Sequence, residues 1–534
     1  MDRRRFLSLS AISLAVTACG GGGSSSSPIK NTPAPIVPPV ASNISDDQWQ
    51  ALKSSLNGEL ILADNSTTYH DARLGFNTRF DHILPEAIVK CESEQDVIST
   101  LSFVRDNSLA VTPRCGSHSY AGYSNTTGIV IDVTPLSNIT VEQGTATIGA
   151  GARLVDVYDQ LTAQGVAIPI GSCLSVGIAG LTLGGGIGVV DRAYGLTCDN
   201  LLSAKMVTAD GELITCSESQ HSDLFWALRG GGGGNFGVVT EFTFKTHTTR
   251  DISVFEAYYN FDDFVEVMSQ WQLLSQAWPN DMWCQIIPDW TRGSPTIYIR
   301  AFCLNSQEEA TVYWDDFIAS INATPTSNRV TTDTYRNVMM GTCSETVAAC
   351  HLSNQFESGR MSRSAFGASS DYFDQLLPEV ALTTLKSFIE NSVQDNNYGM
   401  LIINTMGGVI DNFSSTDTAF VHRNALFSVE YYAPLNNSVS NSRIDETQAW
   451  QNSFRGVMSP WTTGGAYVNY IDPLIVDWQY AYYGDNYTKL QAEFKDSPEK
   501  IALWQNIKQG YEYFENLRKL PQVTVDRQGL YHFK

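Results

Sequence analysis

The sequence has little charge, and no basic cluster follows its first residues. Only 17% of the 534 residues are charged, below the share of about 25% that is typical of soluble domains. Lys and Arg number 34 against 56 Asp and Glu, which gives a net charge of -22. Because such an acidic surface repels phosphate backbones, the composition argues strongly against nucleic-acid binding.

Metal-ligand clusters, long apolar runs and internal repeats are also missing. There is no Cys-x-x-Cys and no tight His/Cys cluster, so we expect no metal site. After the N-terminal segment no apolar run reaches the roughly 20 residues needed to span a bilayer. The ten cysteines suit an oxidising compartment, and we predict a small disulfide loop between Cys343 and Cys350. Cys284 and Cys303 are candidates for a second link between neighbouring strands.

The N-terminal residues are predicted to be an export signal and not part of the fold. The arginines at 3–5, followed by Phe6 and Leu7, resemble a twin-arginine export signal. The small-residue stretch that ends at Cys19 resembles a lipoprotein cleavage box, which makes residues 1–19 a signal peptide and Cys19 the lipid anchor. An ordinary signal cut elsewhere is the alternative. Both place the mature protein outside a bacterial cytoplasm, in the periplasm or at the cell surface, and the Gly-, Ser- and Pro-rich residues 20–45 form a flexible tether.

The rest of the chain divides into three parts. Residues 46–247 alternate strands such as Ile129–Asp132 with helices such as the one that places Leu154 and Leu161 on one face. Residues 248–460 contain aromatic-rich strands such as Thr296–Phe302 and Leu426–Tyr432. Residues 461–534 are predicted to return to the first part, with a helical stretch after Glu499. The pattern indicates an α+β protein of two domains.

Three glycine-containing loops fall between Arg114 and Gly237. The last, residues 232–237, satisfies Gly-x-Gly-x-x-Gly, but a strand, Val238–Phe244, follows it, whereas a dinucleotide fingerprint must open a helix. The other two loops lie at residues 114–124 and 171–188. Together they imply a cradle of backbone N–H groups for a pyrophosphate and a flat ring.

Taken in order, these loops, residues 223–230 and the C-terminal segment 482–487 resemble the flavin domain of the vanillyl-alcohol oxidase superfamily. The most similar group is the berberine bridge enzyme-like oxidases, which include carbohydrate oxidases. The resemblance implies a two-domain fold with a PCMH-type FAD-binding domain and a separate antiparallel-sheet substrate domain. It also implies FAD bound covalently, through His118 to the 8α-methyl carbon and through Cys173 to ring carbon C6. The family's first loop usually has Gly-Gly-His, and this sequence departs from it with Ser117 at the second position. The other cofactor-binding residues implied are Arg114, Cys115, Gly116, Ser117, Ser119, Gly122, Val176, Gly177, Gly180, Gly184, Gly185, Gly188, Gly237, Val238, Val239 and Asn486.

The resemblance implies catalytic residues as well. Tyr470 is the favoured base and Tyr467 is the second choice, and both are expected on a strand that leads into the C-terminal segment. The alternative is that the tyrosine only packs as an aromatic side chain of that strand. Residues 407–412 resemble the family's substrate-facing strand and its downstream turn. Some relatives have a catalytic Glu or Gln where Asn412 falls. Because an amide cannot act as a base, Asn412 is expected only to orient the substrate, which argues against berberine-type ring closure. Val176 is small at a position associated with access of oxygen to the flavin.

The function expected from the sequence is therefore FAD-dependent oxidation of a carbohydrate or other alcohol, with O2 as acceptor and H2O2 as product, by a monomer. Oxidation of a secondary metabolite, with C–C or C–N bond formation or desaturation, is the alternative. A surface lipoprotein that keeps the flavin fold without turnover is a third hypothesis.

Overall fold

The structure, a computed structural model, describes residues 44–64, 66–435, 441–495, 523–525 and 531–533. The predicted export signal, the anchor Cys19, nearly all of the tether and the predicted helical stretch after Glu499 lie outside the described residues. No described helix is both long enough and apolar enough to cross a membrane. No group of candidate metal ligands occurs among the described residues.

The first region contains eleven short strands in three sheets. The strands are β1 (Glu59–Leu62), β2 (Ala87–Lys90), β3 (Val111–Arg114), β4 (Ile129–Asp132), β5 (Ile139–Glu142), β6 (Thr145–Gly149), β7 (Val166–Ala167), β8 (Leu201–Val207), β9 (Leu213–Ser217), β10 (Val238–Lys245) and β11 (His247–Thr248). Their orders are β1-β2-β4-β3, β5-β6-β10-β8-β9 and β11-β7. β4 is parallel to both β2 and β3, whereas the five-stranded sheet is antiparallel.

Seven helices accompany these strands. They are α1 (Asp46–Ser54), α2 (Thr67–Arg73), α3 (Glu94–Asp106), α4 (Leu154–Thr162), α5 (Ile178–Leu183), α6 (Asp191–Tyr194) and α7 (Ser222–Ala227). The predicted apolar face of α4 is confirmed, because Leu154 and Leu161 are both buried in the core of this region. The predicted strand Ile129–Asp132 is β4.

The second region is one seven-stranded antiparallel sheet with helices on one face. Its strands are β12 (Ile252–Asn260), β13 (Met282–Asp289), β14 (Thr296–Cys303), β15 (Ser327–Asp333), β16 (Ala365–Phe373), β17 (Met400–Thr405) and β18 (Phe427–Leu435). The order is β15-β12-β14-β13-β17-β18-β16. The helices are α8 (Phe264–Ala277), α9 (Gln307–Ser320), α10 (Tyr335–Met340), α11 (Glu379–Gln394) and α12 (Asn441–Met458). α8, α9, α11 and α12 pack on one face in a shared apolar cluster.

The other face of this sheet meets the first region. Trp283 and Phe302 point from it into the first region's core cluster. A line of polar residues in register crosses all seven strands on this face, and we call it the polar row. In sheet order it consists of Tyr372, Ser428, Asn404, Gln285, Arg300, Glu256 and Arg329. Successive strand residues point to opposite faces, so Glu430, two residues after Ser428, shares this face.

The C-terminal part contains α13 (Trp478–Tyr483), α14 (Asn486–Lys495), β19 (Val523–Val525) and β20 (Tyr531–Phe533). α13 contacts the first region, because the Tyr483 hydroxyl donates to the Gly231 carbonyl at 3.2 Å. Tyr482 and Tyr483 also share an apolar cluster with Trp226 of α7.

Three expectations about local structure are corrected. Cys284 and Cys303 lie on the adjacent strands β13 and β14, but both are free thiols; their register partners are Ala301 and Met282, so the two cysteines are not opposite each other. Residues 407–412 form a 3-10 turn in place of a substrate-facing strand, because positive φ angles at Gly407 and Gly408 end the extended backbone. Tyr470 likewise ends a 3-10 turn and is not on a strand.

The predicted disulfide between Cys343 and Cys350 is present. It closes a short loop next to α4, where His351 Nε2 lies 2.9 Å from Asp156 Oδ2. Replacing both cysteines by Ser should lower the free energy of unfolding by about 2 kcal/mol, because a cross-link of this loop length restricts the unfolded chain. Denaturant unfolding with and without reductant tests this: reductant should destabilise the wild type and leave the double variant unchanged. A double variant as stable as the oxidised wild type would contradict it.

Candidate active site

A cavity of about 350 Å³ lies between the glycine loops of the first region and the sheet of the second. The residues around it come from 111–126, 171–187 and 232–239 in the first region, and from Phe366, Tyr432 and residues 467–471 beyond it. Each of the three sequence-predicted loops therefore contributes to one wall.

Two glycines border open space in this cavity. A Cβ atom at Gly180 would meet no atom within 4 Å, and one at Gly233 would meet only the Cα of Gly180, at 3.7 Å. A side chain at either position would project into the cavity between the loops. The two glycines thus leave room for a ligand against bare backbone, where N–H groups can reach an anion.

His118 lies in the first loop with a neutral imidazole. Its ring stacks on Phe76 with centroids 4.2 Å apart, and Ser175 Oγ lies 3.0 Å from Nε2. Burial, together with the positive charge of Arg153, lowers the pKa of His118 to about 3. The imidazole is therefore uncharged at any ordinary pH and keeps a nitrogen lone pair for bond formation.

The residues before His118 are held by the surrounding protein. Ser117 has a φ of +58°, a left-handed conformation that favours glycine, which accounts physically for the Gly that similar loops have there. The Arg114 guanidinium donates to Asp132 Oδ2 at 2.8 Å. Burial raises the pKa of the Cys115 thiol. Cys173 also borders the cavity.

A buried carboxyl group lies beside two tyrosines, Tyr120 and Tyr470, that border the cavity. Glu430 is only 1% exposed, and its Oε1 accepts a hydrogen bond of 3.0 Å from the Tyr120 hydroxyl. The Tyr470 hydroxyl interacts with the same carboxyl, and the rings of Tyr120 and Tyr470 stack at 5.2 Å. Burial raises the pKa of Glu430 to about 8, although both tyrosine hydroxyls act to lower it. Burial, with the charge of Glu430, also holds the pKa values of Tyr120 and Tyr470 well above their usual range.

Tyr467 has different partners from Tyr470. Its hydroxyl oxygen accepts hydrogen bonds from the Gly186 and Ile187 N–H groups, at 2.9 and 3.3 Å, and from Asn469 Nδ2 at 2.9 Å. No carboxylate is among these partners. Burial raises the pKa of Tyr467 to about 12. Tyr467 thus anchors the second glycine loop, whereas Tyr470 has a proton acceptor beside it.

Comparison with known proteins identifies the family. The FAD binding domain family matches residues 85–217, and the family described as berberine and berberine like matches residues 466–492. The FAD-linked oxidoreductase YgaK of Bacillus subtilis (strain 168), itself uncharacterized, is 33% identical over 82% of this chain and 94% of its own length. This chain belongs to the berberine bridge enzyme-like family of FAD-linked oxidoreductases.

Solved structures share the fold of this berberine bridge enzyme-like protein. BBE-like 1 of Physcomitrella patens has a TM-score of 0.76 at 25% identity and covers 85% of this chain and 97% of its own. A chitooligosaccharide oxidase has a TM-score of 0.75 at 22% identity, covering 86% and 97%. The predicted α+β class and the PCMH-type FAD-binding fold are confirmed.

The cavity suits the FAD that this family binds. The open space over Gly180 and Gly233 fits a pyrophosphate and ring laid against backbone, and a neutral His118 faces the same space. The residues predicted for the site that border the cavity are His118, Cys173, Arg114, Cys115, Gly116, Ser117, Ser119, Val176, Gly177, Gly180, Gly237, Val238, Val239, Tyr467 and Tyr470.

Six predicted site residues do not border the cavity. They are Gly122, Gly184, Gly185, Gly188, Asn412 and Asn486. The four glycines pack against other parts of the protein; a Cβ at Gly184, for example, would lie 2.1 Å from Asn469 Oδ1. Asn486 donates to the carbonyls of Ser415 and Thr418. Asn412 is exposed to solvent and does not border the cavity, so the structure does not bring it together with the other predicted catalytic residues.

Glu430 was missed by the sequence analysis. The sequence analysis considered a carboxylate only at the position of Asn412, whereas the structure brings Glu430 of β18 to the tyrosines. A signal was present: Glu430 is the one carboxylic acid in a strand whose other residues are apolar, aromatic or serine. An acid in such a strand is rarely buried without a partner or a function.

Proposed function

We propose that this FAD-linked oxidoreductase oxidises a carbohydrate or other alcohol at a carbon bearing a hydroxyl group, with O2 as the acceptor and H2O2 as the product. The observation that carries the proposal is the Glu430 carboxyl beside the Tyr120 and Tyr470 hydroxyls at the cavity wall. Alcohol oxidation requires a group that takes the hydroxyl proton while hydride leaves the carbon. When bound, FAD supplies the acceptor for that hydride.

The proton follows a path through Tyr470 to Glu430. The substrate hydroxyl donates to Tyr470 Oη, and the proton that Tyr470 carries passes to the Glu430 carboxylate. Because Tyr470 gains one proton as it gives up another, its high pKa is no obstacle. Tyr120 stays protonated and keeps its hydrogen bond to Oε1, which fixes the carboxyl group.

We propose further that the flavin is covalently attached. His118 has the properties of the attacking group, because its neutral imidazole is a nucleophile at the edge of the cavity. Attachment at C6 through Cys173 requires that sulfur as a thiolate, which is the nucleophilic form of cysteine. Val176, a small side chain at the cavity wall, supports access of O2.

Oxidation of a secondary metabolite is the second candidate. Phe366 and Tyr432, which border the cavity, would suit an aromatic substrate. A wall without polar groups would favour that reaction, but the hydroxyls of Tyr120 and Tyr470 and the Glu430 carboxyl are all present. The polar groups favour a substrate with hydroxyls of its own.

Substrate screening of the purified holoprotein tests this function. We expect one or more sugars or polyols to bleach the flavin absorbance without air, and H2O2 to appear in equal amount to the oxidised alcohol once air is admitted. Bleaching without peroxide would contradict O2 as acceptor. Bleaching only by phenols or amines would favour the secondary-metabolite reaction, and bleaching by no compound would favour a binding protein.

A further inference from the structure

Arg153 is a buried cation that lies behind the glycine loops of the cavity. It is 2% exposed, and its guanidinium donates to the Gly151 carbonyl at 3.1 Å and to Gln355 Oε1 at 2.8 Å. The guanidinium also lies over the Phe356 ring, 5.6 Å from its centroid. These partners are all uncharged, and no ion pair of the described residues includes Arg153. Because burying a charge without a counter-charge is unfavourable, we expect an anion to approach this cation in the working protein.

The acids of the same region have other partners. Asp132 accepts from Arg114 at 2.8 Å, so the charges of that pair cancel. Asp156 lies one turn after Arg153 on α4, but its Oδ2 is 2.9 Å from His351 Nε2. The Asp156 side chain is also 27% exposed, so water screens its charge. The positive charge of Arg153 is therefore not cancelled within this region.

Arg153 contacts two of the loops that border the cavity. Its backbone pairs with Gly177 of the second loop in an antiparallel bridge, and its Nη1 lies 3.6 Å from Cys115 Sγ of the first loop. Both Gly177 and Cys115 border the cavity. The charge of Arg153 also reaches the His118 ring, where it helps to lower the pKa. A ligand bonded to His118 lies in the field of the same charge.

Oxidation of an alcohol changes the charge of the bound cofactor. The substrate gives up a hydride and a proton; the hydride brings two electrons to the flavin, and the proton goes through Tyr470 to Glu430. Because the proton goes elsewhere, the flavin gains one negative charge. A positive charge that is already fixed nearby stabilises this product without any rearrangement of the protein.

We propose that Arg153 is a positioning residue that holds an uncompensated positive charge near the flavin ring and thereby raises its reduction potential. This inference rests on the proposed attachment of the flavin to His118, which brings the ring into the field of Arg153. The guanidinium suits the role because it stays charged at every working pH. Its contacts with Gly151, Gln355 and Phe356 hold it in one place.

The midpoint potential of the bound flavin tests the proposal, measured by equilibrating the holoprotein with a reference dye without air. R153Q removes the charge, and Q355E adds a carboxylate beside Arg153 without changing the cation itself. We expect each variant to shift the equilibrium about tenfold toward oxidised flavin, the effect of a unit charge roughly 10 Å away at an effective dielectric constant of about 20. For a two-electron couple, a tenfold shift is about 30 mV.

Two control variants should leave the potential close to that of the wild type. R153K keeps the charge at the same position. S353D adds the same carboxylate as Q355E, but on an exposed residue two positions earlier, where solvent and salt screen it. A lower potential in Q355E together with wild-type values in both controls would show that the charge of Arg153, and not the packing around it, acts on the flavin.

The other outcomes separate this proposal from the proposed attachment. A wild-type potential in Q355E would overturn the role of Arg153, even if R153Q fails to fold. A loss of bound FAD from R153Q at an unchanged potential would also overturn it, because the charge would then serve the pyrophosphate. The expected shifts beside a colourless acid-precipitated wild-type pellet would keep the role of Arg153 and contradict the bond to His118.

Discussion

The E430Q variant is expected to oxidise its alcohol substrate with a kcat about 10²- to 10⁴-fold below that of the wild type, the usual contribution of a positioned general base. Glutamine has nearly the shape of glutamate and can still accept the Tyr120 hydrogen bond, but it cannot take the proton that Tyr470 passes on. Y470F should lose a similar factor, because it removes the relay. Stopped-flow measurement of flavin bleaching without air isolates this step from the reaction with O2.

The pH dependence gives this prediction a signature that a structural role would not produce. Since burial raises the pKa of Glu430 to about 8, the base is mostly protonated at neutral pH. The bleaching rate of the wild type should therefore rise with pH through about 8 and level off above it, and E430Q should lack this rise. A wild-type profile that is flat from pH 6 to 10 would contradict the assignment of Glu430 as the proton acceptor.

Stability should change in the opposite direction to activity. The Glu430 pKa is raised from 4.5 to about 8 in the folded protein, so between these values the unfolded state has lost the proton while the folded state keeps it. Stability from this group is complete below pH 4.5, falls as pH rises to about 8, and then stays low. E430Q removes the titration, so its melting temperature should exceed that of the wild type by more at pH 8 than at pH 5.

A control variant distinguishes the catalytic group that the structure indicates, Glu430, from the residue that the sequence indicated, Asn412. N412A changes the residue that the family resemblance placed in the site, but the Asn412 side chain is exposed and away from the cavity. We expect N412A to bleach at the wild-type rate and with the wild-type pH profile. A loss as large as that of E430Q would restore Asn412 to the site.

Local motifs allowed the first half of the site to be predicted. The glycine loops, His118 and Cys173 lie within short contiguous segments, and a cradle built from backbone needs only those segments to fold. Ser117 stands where such loops usually have glycine, and its left-handed φ explains that usual glycine. Tyr470 could be proposed for the same reason, from a motif of six residues.

The second half depends on pairing between distant strands. Tyr120 and Glu430 meet although 310 residues separate them, and the polar row joins strands whose order in the sheet differs from their order in the chain. A one-residue change of register would turn each of these side chains to the opposite face. One sequence does not fix that register, so Glu430 becomes visible as a site residue only in the folded protein.

Flavin attachment provides the other large effect. Acid-precipitated wild-type protein should stay yellow, because a covalent bond survives denaturation, and C173A should stay yellow through His118. H118A should stay yellow only if Cys173 also bonds to the ring, because its sulfur is then the remaining attachment. The H118A/C173A double variant should give a colourless pellet, a complete loss of retained flavin.

The comparison among these variants decides which bonds exist. C115A is the matched control, since Cys115 also borders the cavity and has a thiol whose pKa is raised by burial; it should keep all of its covalent flavin. A colourless H118A pellet beside a yellow C173A pellet would establish a single bond through His118. A colourless wild-type pellet would contradict covalent attachment while leaving the proton path through Tyr470 and Glu430 intact, because that path uses neither His118 nor Cys173 and needs the flavin bound but not bonded.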